Sequence, residues 1–292
     1  MITQLPVSDI ECHAYPWDGQ FTPDVLGAWE GLLEMLPQPP LFLQPAWTQA
    51  GCAAGLLTPW RSLVIKRDGD VVGLLLLERR TRWSAAIAAG CSPDLPPWLI
   101  APGAEAAVHA GIAAWLQQES ALGTLALGRH ADPEFAQAIC GACGWRARRQ
   151  PVKPTFTIAL PDTWEAYLDS LGSATRRTIR RREARLYEKC PDVDVEELTE
   201  PSAADAALSE IIRLYCHRWA DELGGCMLDN GEYAHFYRQA VRWALEQGHG
   251  VIFTLRARGR LLAGQVAFYT PEQETLYCDL TARDLDEEFG KY

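Results

Sequence analysis

Apolar positions along the chain alternate between a helical and a strand period, and their order predicts helices interleaved with sheet. Residues 24–35 set Val25, Leu26, Trp29, Leu32 and Leu33, then Leu36, at the spacing of one helix face, and the prolines from Pro37 to Pro40 end it. Residues 63–66 and 71–78 predict a β-hairpin, because Asp68-Gly69 between them supplies the positive φ that a tight turn demands. Between residues 85 and 128 the only acidic or basic side chains are Asp94, Glu105 and Glu119, apart from His109, so this stretch predicts packed sheet and helix. Within it Val108, Ile112, Trp115 and Leu116 define a helix that opens just after Pro102-Gly103. A short strand at 123–127 and a short helix at 133–143, stopped by Gly144, complete the first half.

The second half repeats the plan with a longer helical insert. Residues 156–160 alternate as a strand, and Asp162 with Glu165 forms a capping box for a helix carrying Trp164, Leu168 and Leu171. Gly172-Ser173 kinks or restarts that helix. Ser202 and Asp205 cap the next one, whose inner face is Leu208, Ile211, Ile212, Tyr215 and Trp219. A further helix from Gly231 to Gln247 buries Tyr233, Phe236, Tyr237, Val241, Ala244 and Leu245, with Gly248 as its stop. Strands follow at 251–256, 261–269 and 275–283. The similar order of the halves suggests tandem domains, residues 1–150 and 151–292, each an α+β unit with a mixed, mostly antiparallel sheet flanked by helices.

Charge narrows the function. Twenty-seven Lys and Arg against 38 Asp and Glu leave a net of -11, so the surface as a whole repels polyanions, and no DNA partner is expected. Phosphate recognition must therefore be local. No apolar run is long enough to span a bilayer and the first residues lack a signal segment, which makes a cytoplasmic location the expectation. Nine scattered cysteines suit reduced thiols. Cys140 and Cys143 form a lone C-x-x-C without a second pair, best taken as two small buried thiols. No metal site is expected, since the six histidines never fall at H-x-x-H or H-E-x-x-H spacing.

One segment reverses the charge. Residues 176–189 carry seven cations against Glu183 and Glu188, a net of +5 that leaves -16 for the rest. As a helix it turns Ile179 and Leu186 toward a core and Arg177, Arg180 and Arg181 away. Guanidinium groups so spaced can grip phosphate, with a solvated face paired to the acidic surplus as the equal alternative.

Five segments together resemble a known family: Phe42-Leu-Gln-Pro-Ala-Trp47, Pro161-Asp-Thr-Trp-Glu-Ala-Tyr-Leu-Asp-Ser-Leu171, Arg176-Arg-Thr-Ile-Arg-Arg-Arg182, Leu214-Tyr-Cys-His-Arg-Trp219 and Leu280-Thr-Ala-Arg-Asp284. In order and spacing they are similar to bacterial GNAT-superfamily acyltransferases of the CelD type. The resemblance implies two GNAT-like domains in tandem, as in the related Fem-type transferases. It also implies acetyl-CoA or another acyl-CoA as donor, and a small-molecule amine or hydroxyl acceptor, often an envelope or polysaccharide precursor. In that family the strand corresponding to residues 275–283 leads into a turn and then a Pro-Gly step that opens a helix, whose backbone amides hold the CoA pyrophosphate. Here the sequence stops at Phe289-Gly-Lys-Tyr292, so the expectation is a second domain truncated at its C-terminus, and no cofactor-binding residue is assigned. Pro102-Gly103 occupies the equivalent place in the first repeat, where an anion could meet a helix end, but with no Gly-rich loop around it a simple helix entrance is the favoured reading.

Candidate chemistry collects in the second half. The strand 275–283 edges the acyl-CoA cleft in GNAT enzymes, and strict alternation sets Tyr277, Asp279 and Thr281 on one face, Cys278 inward on the other. Asp279 is the first candidate for the general base that direct transfer needs, and His217 the second. Tyr277, Trp219, Arg176, Arg177, Arg180 and Arg181 are candidate substrate contacts. Rival readings are a Fem-like transferase using aminoacyl-tRNA and a non-catalytic binding module.

Overall fold

The computed structural model describes residues 9–37, 39, 41–88, 98–119, 121–127, 133–148, 156–221, 225–270 and 274–286. The chain divides into two units, residues 1–153 and 154–292.

In the first unit the strands are β1 (Ile10–Pro16), β2 (Pro59–Arg67), β3 (Asp70–Thr81), β4 (Ser84–Ile87), β5 (Trp98–Ile100) and β6 (Thr124–Ala126). They form one sheet in the order β1-β2-β3-β4-β6, with β5 also paired to β3, and every pairing is antiparallel except β4 with β6. Four helices accompany it: α1 (Pro23–Met35), α2 (Pro45–Ala53), α3 (Glu105–Gln118) and α4 (Pro133–Cys143). Thr22 caps α1 by accepting from the Val25 amide, Pro23 fills its first position, and the predicted stripe of Val25, Trp29, Leu32 and Leu33 is buried. The β2–β3 turn has Asp68 at φ 55° and Gly69 at φ 91°, the two left-handed residues that the Asp-Gly pair was chosen for. Close seating of α3 on the sheet depends on Gly73, since a Cβ there would lie 2.5 Å from Val108. Strand β1 and helix α2 have no counterpart among the sequence expectations.

The second unit begins with α5 (Trp164–Ser170) and α6 (Ser173–Lys189), then β7 (Asp194–Leu198), α7 (Pro201–Trp219), α8 (Gly231–Glu246), β8 (Gly250–Ala257), β9 (Arg260–Thr270) and β10 (Thr275–Arg283). The sheet is wholly antiparallel, ordered β10-β9-β8-β7. Helices α7 and α8 pack against it, and Ile211, Phe236, Ile252, Val266 and Phe268 are completely enclosed between them. Gly264 lets α7 approach β9, because a Cβ at that position would overlap the Ile211 side chain.

Several expectations are corrected here. Residues 156–160 form no strand: Phe156, Ile158 and Leu160 are exposed on unpaired coil, since alternation by itself does not supply the ladder partner that a strand needs. Thr163, not Asp162, caps α5 by accepting from the Ala166 amide at 3.1 Å. Helix α7 starts at Pro201 after Glu200, which places Ser202 and Asp205 inside its first turns, so neither is its cap. Cys140 and Cys143 lie on α4 and are half-buried, short of the full burial expected.

Candidate functional site

The last described strand is irregular at one residue. In the β10–β9 ladder Tyr277 faces Phe268 and Cys278 faces Ala267, but Leu280 already faces Val266, so Asp279 is an extra residue and forms a β-bulge. The bulge resets the alternation. Tyr277 shares a side with Leu280 and Ala282, toward the helices, while Cys278 and Thr281 fall on the other side. The single polar face of Tyr277, Asp279 and Thr281 expected from strict alternation is therefore corrected, and Cys278 is exposed instead of inward. Thr281 donates to Gln265 at 2.6 Å on the opposite side.

At the bulge Asp279 is re-aimed toward the helices. Its Oδ2 accepts a hydrogen bond from the phenol of Tyr237 at 2.7 Å, across 42 residues of sequence. Tyr237 lies on the inner face of α8, only 4% exposed, with the Tyr233 ring stacked beside it at 6.5 Å. Helix α7 supplies Tyr215, whose ring meets Trp219 at 6.1 Å, and Arg218, whose guanidinium lies 5.0 Å over the Trp219 ring. The arrangement is a carboxylate on a strand irregularity, held by a buried phenol and bordered by further aromatic rings.

The phenols respond to this setting. Tyr237 titrates well above the ordinary tyrosine range, first because it is buried, then because the charge and hydrogen bond of Asp279 oppose phenolate formation. Tyr215 is raised by burial, then by Cys226 and Asp279, against an opposing pull from Arg218. Burial alone raises Tyr277. Each of these groups keeps its proton longer in the folded than in the unfolded state. Their contribution to stability is therefore complete below about pH 10, the unfolded phenol value, and is lost as pH climbs from there through the folded values. The urea midpoint should fall as pH rises above about 10, and Tyr237→Phe should flatten that fall. An equally steep decline in the variant would show that Tyr237 is not the main linked group.

The other expected residues are distributed as follows. His217 is exposed on α7, and among the described residues it makes no hydrogen bond or ion pair. Trp219 is half-buried, and its indole N–H is buried without a partner among the described residues. Arg176, Arg177, Arg180 and Arg181 lie together on α6, where with Ser173 they line a shallow hollow. Helix α6 has no buried residue, and Ile179 and Leu186 are only half-covered, Leu186 against Cys190, Ala257 and Leu262. Arg176 is bridged to Asp169 at 2.5 Å, whereas Arg177, Arg180 and Arg181 have no carboxylate partner among the described residues. Pro102-Gly103 forms a turn with Gly103 at φ 75°, leading into the Ala104 end of α3.

Sequence reasoning missed Tyr237 and Tyr215 because both sit on apolar stripes and were counted as core. A signal was present: a buried phenol needs a hydrogen-bond partner, so a tyrosine inside a buried stripe points to a polar group opposite it. It also missed that Cys216 and Cys226 bring their sulfurs to 2.7 Å, with burial and bonds to Cys226 and Asp229 pushing the Cys216 thiol up.

Residues 173–292 match the family model described as acetyltransferase (GNAT) domain. No curated protein matches the chain. Among solved structures, the chain is similar to the C-terminal domain (DUF2156) of a proposed lysylphosphatidylglycerol synthetase from Agrobacterium fabrum, at 13% identity and TM-score 0.44, over 92% of this chain and 70% of that one. It is also similar to a tandem GNAT protein from the clavulanic acid biosynthesis pathway, at 16% identity and TM-score 0.38, over 89% and 75%. A third is the aminoglycoside N-acetyltransferase AAC(6')-Iy in complex with CoA, at 14% identity and TM-score 0.30, over 53% and 99%. Among the described residues no helix is long and apolar enough to cross a membrane.

Proposed function

We propose that this acyltransferase, whose residues 173–292 match the acetyltransferase (GNAT) domain, transfers an acyl group from acetyl-CoA or a related acyl-CoA to an amine or hydroxyl. The acceptor is a small molecule, in the CelD-like reading a cell-envelope or polysaccharide precursor. The first unit, residues 1–153, is taken as a second GNAT-like domain and the second, residues 154–292, as the catalytic one, with a cytoplasmic location.

The observation that carries the reading is Asp279, an exposed carboxylate at a bulge in the last described strand of the matched residues, oriented by Tyr237. The donor supplies a thioester carbonyl. What the chain must provide is a group that accepts the acceptor's proton as the new bond forms, and a way to hold anionic substrate. Asp279 suits the first task. Removing the proton leaves the amine or alcohol lone pair free to attack, and the Tyr237 phenol keeps the carboxylate from swinging away. Tyr277, one bulge away and half-buried, borders the same place, with Trp219 and Arg218 on α7 beyond Tyr215.

For the second task Arg177, Arg180 and Arg181 of α6, which have no carboxylate partner among the described residues, fit a pyrophosphate or another doubly charged group. Paired guanidiniums would be neutralised by the acidic surplus of the chain, and these are not. Calorimetric titration with acetyl-CoA tests this directly. The variant R177A/R180A/R181A should bind at least about 10²-fold more weakly, since each charge-assisted hydrogen bond contributes roughly 1.5–3 kcal/mol. No heat from the wild-type protein with any acyl-CoA removes the reading. The same arginines favour one rival, a Fem-like transferase taking aminoacyl-tRNA. That reading requires RNA affinity falling steeply with salt.

A further inference from the structure

Outside the Asp279 site, a second cluster of chemically capable groups lies where α7 ends and the chain turns toward α8. Cys216 is half-buried on the last turn of α7. Cys226 is buried and caps a short 3-10 turn, Met227–Asp229, whose last residue is Asp229. The two sulfurs and a carboxylate oxygen all lie within 4.8 Å of one another. The spacing Cys-x9-Cys-x2-Asp matches no common metal signature, which is why the sequence alone does not show it, but the 3-10 turn folds Cys226 and Asp229 onto one side and α7 brings Cys216 to meet them.

We propose that Cys216, Cys226 and Asp229 form a zinc site. Two sulfurs with one carboxylate select a borderline-soft divalent ion over magnesium or calcium, which prefer all-oxygen shells. Three protein ligands leave the fourth tetrahedral position for water. Zinc–sulfur bonds of about 2.3 Å in tetrahedral array put two sulfurs roughly 3.7 Å apart. The thiols, in contact at 2.7 Å, therefore part by about 1 Å on loading, a small side-chain rotation. The exchange balances. Each thiol releases its proton to solvent, two zinc–sulfur bonds and one zinc–oxygen bond form, and zinc sheds part of its water shell. Two protons are replaced by one dication, so the cluster keeps its net charge and Cys226 can stay buried without a new uncompensated charge. The bound ion ties the end of α7 to the turn that starts α8, the two helices that hold Tyr215 and Tyr237.

The test uses the full chain, reduced and stripped with a chelator, titrated with cobalt(II) as a spectroscopic stand-in for zinc. One equivalent should bind with a sulfur-to-cobalt charge-transfer band, and zinc should displace it. Cys216→Ser and Cys226→Ser should each weaken binding by more than the roughly 10- to 100-fold typical of losing an outer hydrogen-bond partner. Asp229→Asn should keep the band but weaken binding, while C140S/C143S should change nothing. Should the serine variants fail to fold, the wild-type protein still decides: zinc should shield Cys216 and Cys226 from alkylation while exposed Cys278 stays reactive. Unchanged cobalt binding in C216S/C226S overturns the proposal. So does equal alkylation with and without zinc, or a Cys216–Cys226 disulfide in peptides from protein whose thiols were blocked at lysis.

Discussion

Asp279→Asn should lower kcat by about 10²- to 10⁴-fold, the range supplied by a positioned general base, with little change in donor affinity. The substitution preserves shape and can still accept from the Tyr237 phenol, so the loss isolates proton acceptance from packing. Tyr237→Phe should cost less, and also in kcat, because it frees a carboxylate whose position matters but leaves the proton-accepting group itself in place; an error of 1 Å at a reacting group can cost about 10²-fold. His217→Ala serves as the internal comparison. With no bond holding it among the described residues, its loss should leave turnover near the wild-type value. Near-normal turnover in Asp279→Asn together with a collapse in His217→Ala would transfer the base role to α7 and end the reading built on the bulge. The measurement needs one acceptor that turns over, found by screening small amines and sugar alcohols against acetyl-CoA with product mass as the readout.

How legible this was in the sequence differs between backbone and site. Amphipathic elements were plain: the stripe of α1, the Asp-Gly turn and the three closing strands all follow from periodicity and turn chemistry. Strand β7, Asp194–Leu198, was invisible because Asp194, Glu196 and Glu197 lie on an exposed edge, where the apolar alternation that marks half-buried strands disappears and charge guards against further pairing. The reverse error came at residues 156–160, where alternation was present but the segment pairs with no described strand. Asp279 itself could be picked out by residue type and strand position. Its orientation could not, because a bulge is fixed by which residue of β9 each residue of β10 pairs with, and that register is a tertiary fact. Tyr237 and the Cys216–Cys226 contact depend on how α7 and α8 lie on the sheet, which no local pattern encodes.

The largest stability loss is expected from Phe268→Ala. The ring is fully enclosed and faces Tyr277 on one neighbouring strand and Gly250 on the other. Removing an enclosed phenylalanine costs about 3–5 kcal/mol, the lost transfer energy plus the cavity left behind, against a total stability of roughly 5–15 kcal/mol for a domain. With a urea slope of about 1–3 kcal/mol per molar, the midpoint for the second unit should drop by roughly 1–5 M. Leu276→Ala, one residue before Tyr277 but 39% exposed, should be close to neutral, which separates loss of core from loss of strand propensity. A third variant tests the bulge. A slip of one residue in the β9–β10 register exchanges the two faces of β10, so Leu280 would leave the core and Asp279 would lose Tyr237. A nearly neutral Leu280→Ala would therefore count against the geometry on which the assignment of the base rests, independently of any activity measurement.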